Sequence, residues 1–237
     1  MDDVTVLIPC IEEDKNLQFL LPKIKKILHK YKYKIIVIGS NFKKDNAEEI
    51  CKNYAVNFIR RKKNNNYGEA IKIGFKIFNS EKVIVMDADG SHDPSFMTKM
   101  LKFSRFYDLV IASRYVRGGD TKNNFFLIFL SKLLNICYSV VLNISIKDIS
   151  NSFRCYDAKI IKNLKLYSNH FDIIEEILFK IMKKHRLVKI IEIPFVFKKR
   201  KYGKSKRNLF IAIFYFITLI KIKYLYGNQK VRNSTQN

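Results

Sequence analysis

The residues best equipped for chemistry lie in one stretch, Asp87-Ala88-Asp89-Gly90-Ser91-His92-Asp93-Pro94, directly after the apolar run Val83-Ile84-Val85-Met86. A short run rich in β-branched residues reads as a strand buried on both faces. Two carboxylates just past such a strand are costly unless they face a cleft and hold a cation. In an open α/β sheet, ligands bind outside the carboxyl ends of the strands. Asp-x-Asp at that place suits a hard divalent ion that keeps waters and bridges substrate phosphates. Asp87, Asp89 and Ser91 are therefore the candidate metal ligands, with Mg2+ or Mn2+ as the ion. Asp93-Pro94 has a plainer explanation, as N-cap and first residue of a helix starting at Ser95. His92 reads more simply as a loop residue than as a ligand.

Such a site needs a sheet to place it. Strands are expected at residues 4–8, 35–38, 56–59, 83–86 and 109–113. Helical spacing of apolar residues falls between them at 17–30, 45–54 (capped by Asp45), 68–78 and 95–106. Strands alternating with helices predict an α/β domain, a mostly parallel sheet flanked by helices on both faces. After Gly118-Gly119 the texture changes. Residues 125–146 are strongly apolar, but Ser131, Lys132, Asn135, Ser139 and Asn143 recur every three or four positions. That polar stripe predicts an amphipathic helix rather than a membrane span. A strand at 149–156, a helix at 173–184, a strand at 189–197 and a basic loop at 198–207 follow. Residues 209–220 are apolar almost all round and then broken by Lys221 and Lys223. The run is shorter than the roughly 20 residues a spanning helix needs. An interfacial helix with snorkelling lysines fits better. The expected organisation is a domain over 1–207, then an apolar membrane-associating helix and polar tail over 208–237.

The 237 residues carry 45 Lys+Arg against 21 Asp+Glu, a formal charge of +24 that favours an anionic partner. A membrane surface and phosphorylated substrates qualify. Nucleic acid ranks last, because the basic residues are scattered and no recognised nucleic-acid module appears. Cys10, Cys51, Cys137 and Cys155 show no zinc or redox spacing and read as reduced thiols facing the cytosol. Met1-Asp2-Asp3 leads straight into a strand, so no signal peptide is expected.

Several segments, in order, resemble the family 2 glycosyltransferases of the GT-A (Rossmann-like) fold. Within that family they are similar to the branch of dolichol-phosphate mannosyltransferases and polyprenyl-phosphate glycosyltransferases. The segments are Val6-Leu7-Ile8-Pro9-Cys10-Ile11-Glu12-Glu13, Tyr67-Gly68-Glu69-Ala70 with Gly74, and Met86 to Pro94. Ala112-Ser113-Arg114-Tyr115-Val116-Arg117-Gly118-Gly119 and Ser152-Phe153-Arg154-Cys155-Tyr156 continue the series. Glu192-Ile193-Pro194 with Tyr202-Gly203-Lys204-Ser205-Lys206 ends it. The resemblance covers about residues 4 to 207. It departs after the second strand, where the family has two aspartates and this chain has Ile38-Gly39-Ser40-Asn41. It departs again in the first turn, where Ile11 and Glu12 replace an aromatic and an Asn.

The resemblance implies inverting, metal-dependent transfer of a sugar from a nucleotide-diphosphate donor (GDP-mannose or a UDP-sugar) to a polyprenyl phosphate. The enzyme would lie peripherally on the cytoplasmic face of a membrane. It implies donor contacts at Pro9, Ile11, Glu13, Gly68, Asp87 and Ala88. Lipid phosphate is already ionised, so cations that hold it in line matter more than a strong base. Asp89, Arg114 and Arg154 are the candidate catalytic residues. Arg117, Arg200, Ser205 and Lys206 are candidates for the acceptor phosphate. Arg117 and Arg200 read equally well as solvated loop residues, and Glu13 equally as a helix cap. An acidic residue before the late strand is Glu175 or Glu176. The alternatives are a saccharide or protein acceptor on the same fold, or a non-catalytic relative that has lost its donor aspartates.

Overall fold

The computed structural model of the chain describes residues 3–42, 46–62, 64–122, 125–200, 202, 219–220 and 223–224. The expected Asp45 cap, Ser205, Lys206, Lys221 and nearly all of the 209–220 helix lie outside the described residues, as does the tail.

The alternating pattern does produce a mostly parallel sheet. Strands β1 (Asp3–Pro9), β2 (Lys32–Gly39), β3 (Asn57–Arg60), β4 (Lys82–Val85), β5 (Leu109–Ser113) and β8 (Ile190–Pro194) join one further strand, β7 (Arg154–Asp157). Their order is β3-β2-β1-β4-β7-β5-β8. β1 pairs in parallel with β2 and β4, and its alternation feeds two cores. Val4, Val6 and Ile8 point to one face, where α1 (Asp14–Leu28), α2 (Ala47–Asn53) and α4 (Phe96–Phe103) bury their apolar stripes. Leu7 points to the other, shared with α3 (Tyr67–Ile77) and α7 (Ile173–Lys184). Pro22 inside α1 leaves the Gln18 carbonyl without its helical donor. The Tyr54 hydroxyl donates to that carbonyl at 3.2 Å.

The predicted strand at 149–156 is corrected. Residues 149–153 are loop, and only Arg154–Asp157 forms β7. It is antiparallel to both β4 and β5. Its first residues therefore lie at the carboxyl edge of its neighbours, with Arg154 opposite Val85 and Ile111. The strand expected at 189–197 splits at Phe195 into β8 and β9 (Val196–Phe197), and β9 pairs in parallel with β6 (Asp120–Thr121). Gly118, at φ +87°, makes the turn that leads into β6. A Cβ on Gly119 would come within 2.5 Å of the Ser113 carbonyl oxygen.

Helix α5 (Phe125–Leu142) is shorter than expected. Asn143 takes φ +53°, and the Ile144 N–H closes the helix on the Ser139 carbonyl at 2.9 Å. Of the polar stripe only Asn135 is buried, beside Leu134 and Tyr138, while Lys132 and Asn143 are exposed. Asn135 is buried, and its carbonyl oxygen accepts from the Ile149 and Ser150 N–H groups at 2.7 and 3.0 Å. Phe125, Phe129, Leu133, Ile136 and Val140 form an apolar stripe exposed on the outer side. A small second helix, α6 (Ala158–Ile161), follows β7 and is capped by Asp157. Among the described residues no helix is long and apolar enough to cross a membrane.

The burial of Asn135 beside the exposed Ile136 predicts different costs for adjacent positions. Asn135→Ala should destabilise by about 1–3 kcal/mol, because two buried N–H groups lose their acceptor. Ile136→Ala, on the exposed side, should stay within about 0.5 kcal/mol. Urea denaturation of both variants checks this.

Candidate active site

The site is built from strand ends. β4 stops at Val85, and the Met86 N–H still donates to the Leu7 carbonyl. Asp87 therefore begins where the sheet ends. Its Oδ1 accepts two hydrogen bonds, from the Tyr67 hydroxyl and the Ser152 hydroxyl, each at 3.0 Å. Its N–H donates to His92 Nδ1 at 3.0 Å. Tyr67 is the first residue of α3 and stacks on Phe171 with ring centroids 4.5 Å apart. Burial, and then the charge of Asp87, push the Tyr67 hydroxyl well above its ordinary pKa, so it remains a donor. Ser152 arrives because β7 runs against its neighbours. His92 is fully buried, stacked on Phe153 and edge-on to Phe195 and Phe197. It shapes the turn, as the sequence suggested.

Ala88 is buried and turns toward the core. Asp89 points the other way, and its Oδ1 accepts from the Ser91 N–H and hydroxyl. Its Oδ2 lies 2.9 Å from Arg200 Nη2. Arg200 Nη1 reaches Glu13 Oε1, also at 2.9 Å. Glu13 accepts in turn from the Asn16 amide and does not cap α1 with its side chain. Burial works to raise the Asp89 carboxyl, but His92, the Ser91 hydroxyl and amide, and Arg200 together hold it below the ordinary range. Asp93 is not the N-cap that was expected: α4 starts at Phe96 with Ser95 at its N-cap, and the Asp93 carboxylate accepts from the Ser95 N–H at 3.0 Å in the turn before the helix.

The edges of this site are the exits of β1 and β2 and the entry of α3. Pro9 is the last residue of β1 and is buried, and Ile11 is half-buried in the turn that follows. Glu12 sits at φ +54°, a conformation in which Asn is much commoner. At the exit of β2, Asn41 and Asn65 pair through their side-chain amides, and the Asn41 N–H also donates to Asn65 Oδ1 at 2.8 Å. Gly68 is required by packing. A Cβ there would come within 2.6 Å of the backbone at Ser168 and Asn169. The Gly68 N–H donates to the Asn169 carbonyl at 2.8 Å.

Two of the proposed catalytic arginines do not face the cleft. Arg154 is fully buried, and Nε, Nη1 and Nη2 donate to the carbonyls of Asn151, Ile174 and Ile149. Arg114 is also buried, bidentate on Asp148 through Nε and Nη2 at 2.8 and 2.6 Å. A guanidinium whose fork is already filled by carbonyls or a carboxylate holds loops together. Arg117 is exposed in the turn before Gly118. Of the two late acids, Glu176 is taken up by the Tyr167 and Ser168 N–H groups and by Lys180 at 2.5 Å. Glu175 is buried beside it, near Tyr156.

Sequence reasoning missed Arg61, which is buried and donates to the carbonyls of Gly39, Asn66 and Cys10 at 2.8 to 3.0 Å. One guanidinium ties the exits of β1 and β2 to the entry of α3. In the sequence it is one more member of the basic run Arg60-Arg61-Lys62-Lys63. Asp148 was missed for the same reason, sitting beside Lys147 with no pattern to mark it.

The donor chemistry fits a hard divalent ion. Asp87 is fixed through Oδ1, its Oδ2 lies 4.0 Å from His92 Nε2, and Asp89 Oδ2 already carries a cation in Arg200. Among the described residues no group of three or more His, Cys, Asp or Glu gathers to hold a metal. One or two carboxylates are what Mg2+ uses when substrate phosphates and waters complete its shell.

Residues 5–165 match the family model for glycosyl transferase family 2. A dolichol-phosphate mannosyltransferase of Pyrococcus furiosus is 32% identical, over 86% of this chain and 58% of that protein. The chain thus spans less than two thirds of that relative. The polyprenol monophosphomannose synthase of Mycolicibacterium smegmatis is 27% identical, over 86% of this chain and 80% of that protein. Among solved structures, the glucosyl-3-phosphoglycerate synthase of Mycobacterium tuberculosis, crystallised with Mn2+, UDP and phosphoglyceric acid, aligns with a TM-score of 0.72. That alignment covers 93% of this chain and 78% of that chain at 13% identity, a likeness of fold, here the GT-A fold. The same enzyme has also been crystallised with Mg2+ and UDP.

The depressed Asp89 carboxyl carries a pH signature. A folded value below the unfolded one, about 3.9, contributes stability that is complete above the unfolded value. That stability is lost as pH falls through the folded value. The difference in Tm between the wild type and Asp89→Asn should be flat near neutrality and shrink toward zero below about pH 4. Thermal melts across that range check it.

Proposed function

The chain belongs to glycosyl transferase family 2, and from that premise we propose that it moves a sugar from a nucleotide-diphosphate donor to a polyprenyl phosphate at a membrane surface. The observation that carries the reading is the pair of carboxylates beyond β4, one fixed by Tyr67 and Ser152 and the other paired to a cation. The names of the two curated relatives favour mannose as the sugar and GDP-mannose as the donor, with a UDP-sugar as the other candidate.

In this reading the donor lies along the edge formed by Pro9, Ile11, Glu13 and the Asn41–Asn65 pair. Its diphosphate faces Asp87 and Asp89. A bound Mg2+ or Mn2+, held by Asp87 and Asp89 with Ser91 supporting Asp89, would neutralise charge on the departing diphosphate. Tyr67 and Ser152 hold Asp87 in one orientation, so that carboxylate needs no reorganisation during transfer. An oxygen of the acceptor phosphate attacks the anomeric carbon. The bond from that carbon to the donor phosphate oxygen breaks, and its electron pair leaves on the nucleoside diphosphate. A single displacement inverts the configuration. The attacking oxygen is already anionic, so no side chain needs to take a proton. Arg117 and Arg200 are the candidates for holding the acceptor phosphate, with Ser205 and Lys206, which lie outside the described residues, as further candidates.

The acceptor's isoprenoid tail keeps the reaction at the bilayer, since withdrawing it costs about 0.8 kcal/mol per CH2. The exposed stripe of α5 supports contact there, with Lys132 on the same helix and Lys122 and Lys147 near its ends. Basic residues beside an anionic leaflet add about 1 kcal/mol each. The protein would then be peripheral, on the cytoplasmic face.

Labelled GDP-mannose and UDP-sugars incubated with polyprenyl phosphate should yield label that extracts into organic solvent. Excess chelator should stop the reaction. Asp89→Asn should lower it by at least about 100-fold, the scale set by a charge-stabilising group in a closed site. Label that stays water-soluble on a saccharide or small phosphorylated acceptor would replace the lipid reading.

Membrane contact is checked separately by flotation on anionic liposomes. Phe129 and Ile136 each offer up to about 1.5–3 kcal/mol on burial. The double variant Phe129→Ser, Ile136→Ser should float at least about tenfold less well, with an unchanged melting temperature.

A further inference from the structure

We propose that Arg200 is the resident counter-ion of Asp89, competing with a divalent ion for Asp89 Oδ2 and turning to the acceptor phosphate only when that ion arrives with the donor. The inference rests on the reading of this edge as a glycosyl-transfer site and adds an order of events to it.

Glu13, Asp87 and Asp89 bring three carboxylates to one edge. Arg200 bridges two of them, with a different nitrogen on each at 2.9 Å. The segment that carries it is held at both ends. On one side the Lys198 N–H donates to the Ser91 carbonyl at 3.1 Å, and Lys198 Nζ lies 2.7 Å from Asp93 Oδ2. On the other side the Tyr202 carbonyl accepts from the Asn16 amide at 3.4 Å, and the Tyr202 ring stacks on Phe19 with centroids 5.9 Å apart. Arg200 lies between these posts with a quarter of its side chain exposed. Its guanidinium can swing outward without moving either post.

A divalent ion on Asp89 Oδ2 cannot share that oxygen with a guanidinium, because the two like charges would be a few ångströms apart in a half-buried place. Binding of the ion with the donor diphosphate therefore expels Arg200. The freed guanidinium has the planar fork that suits a phosphate. The ion takes over Asp89, the guanidinium passes from carboxylate to phosphate, and Glu13 gives up one nitrogen while keeping the Asn16 amide. Arg200 thereby discourages a bare ion from settling in the site and keeps the acceptor phosphate waiting for the donor.

The test looks for effects of opposite sign. Mn2+ titration of the whole chain with GDP or UDP present, read by the EPR signal of free Mn2+, should show Arg200→Met binding the ion about tenfold more tightly than wild type. The same variant should have a KM for polyprenyl phosphate raised about tenfold or more, the cost of a lost charged hydrogen bond. Lys198→Met, which loosens one post and leaves Arg200 in place, should not tighten Mn2+ binding. If Arg200→Met fails to fold, Arg200→Lys, which keeps the charge without the two-nitrogen bridge, should show the same shifts at reduced size. Mn2+ affinity that is unchanged or weaker in the Arg200 variants overturns the inference, and so does Lys198→Met tightening as much as Arg200→Met. A wild type that binds Mn2+ with nucleotide but transfers no sugar to polyprenyl phosphate would instead sink the function, while the Mn2+ titration still decides the competition.

Discussion

A carboxylate at the end of a fully buried strand must find positive charge or hydrogen-bond donors, and the carboxyl edge of this sheet is arranged around that need. β4 delivers Asp87 and Asp89 to a place with little water. Tyr67 comes from the entry of α3, Ser152 from the antiparallel arrival of β7, and Arg200 from the segment after β9. An all-parallel sheet would have put the start of the fourth neighbour at the opposite edge. Reversing β7 turns a strand beginning into a part of the site. The close approach of Gly68 to the 168–169 backbone serves the same end, because it fixes where Tyr67 stands.

The remaining arginines of the site region act on backbone. Arg61 gathers the carbonyls of Cys10, Gly39 and Asn66, and Arg154 those of Asn151, Ile174 and Ile149. Carbonyls at strand ends and in tight loops have no ladder partner, and a guanidinium offers five donors in a fixed fork. Lysine would satisfy fewer of them from one point. Arg114 and Asp148 extend the arrangement, since Asp148 also accepts from the Arg114 N–H and donates its own N–H to Glu192. Glu192 in turn accepts from Ser113 at 2.8 Å. The segment from 113 to 120 is thereby locked to the 147–151 loop. In a chain with so large a basic excess, some of the cations hold loops in register.

The sequence makes the sheet and the carboxylate pair legible because both are set by local patterns: apolar runs, helical spacing, and two aspartates after a strand. The roles of Arg114 and Arg154 were not legible. Position after an apolar strand is the same for an arginine that turns to a cleft and one that turns to a carbonyl. What separates them is the set of partners brought by distant segments, such as Asp148 or Ile174, and no spacing within the chain encodes those. Tyr67 and Ser152 lay inside noted motifs, yet their common target, Asp87, appears only once α3 and β7 are placed. Arg61 had no signal apart from charge, and the run it sits in looks solvated.

Helix α5 shows how a correct pattern can leave orientation open. A polar stripe every three or four residues predicts two faces, and burial of the apolar one is the usual outcome. Here the loop of residues 144–151 presents unpaired N–H groups to the helix. A buried donor left bare costs about 1–3 kcal/mol. Asn135 therefore turns inward and meets the Ile149 and Ser150 N–H groups and the Ser150 hydroxyl, while the Ser139 hydroxyl donates to the Ile144 carbonyl. With Leu134, Asn135 and Tyr138 inside, Phe129, Ile136 and Val140 are left outside, with Val140 73% exposed. An apolar row at helical spacing is unfavourable in water and favourable against hydrocarbon. The same demand for hydrogen-bond partners that fixes the loop beside Arg114 thus leaves on α5 the exposed apolar row that the proposed membrane contact would use.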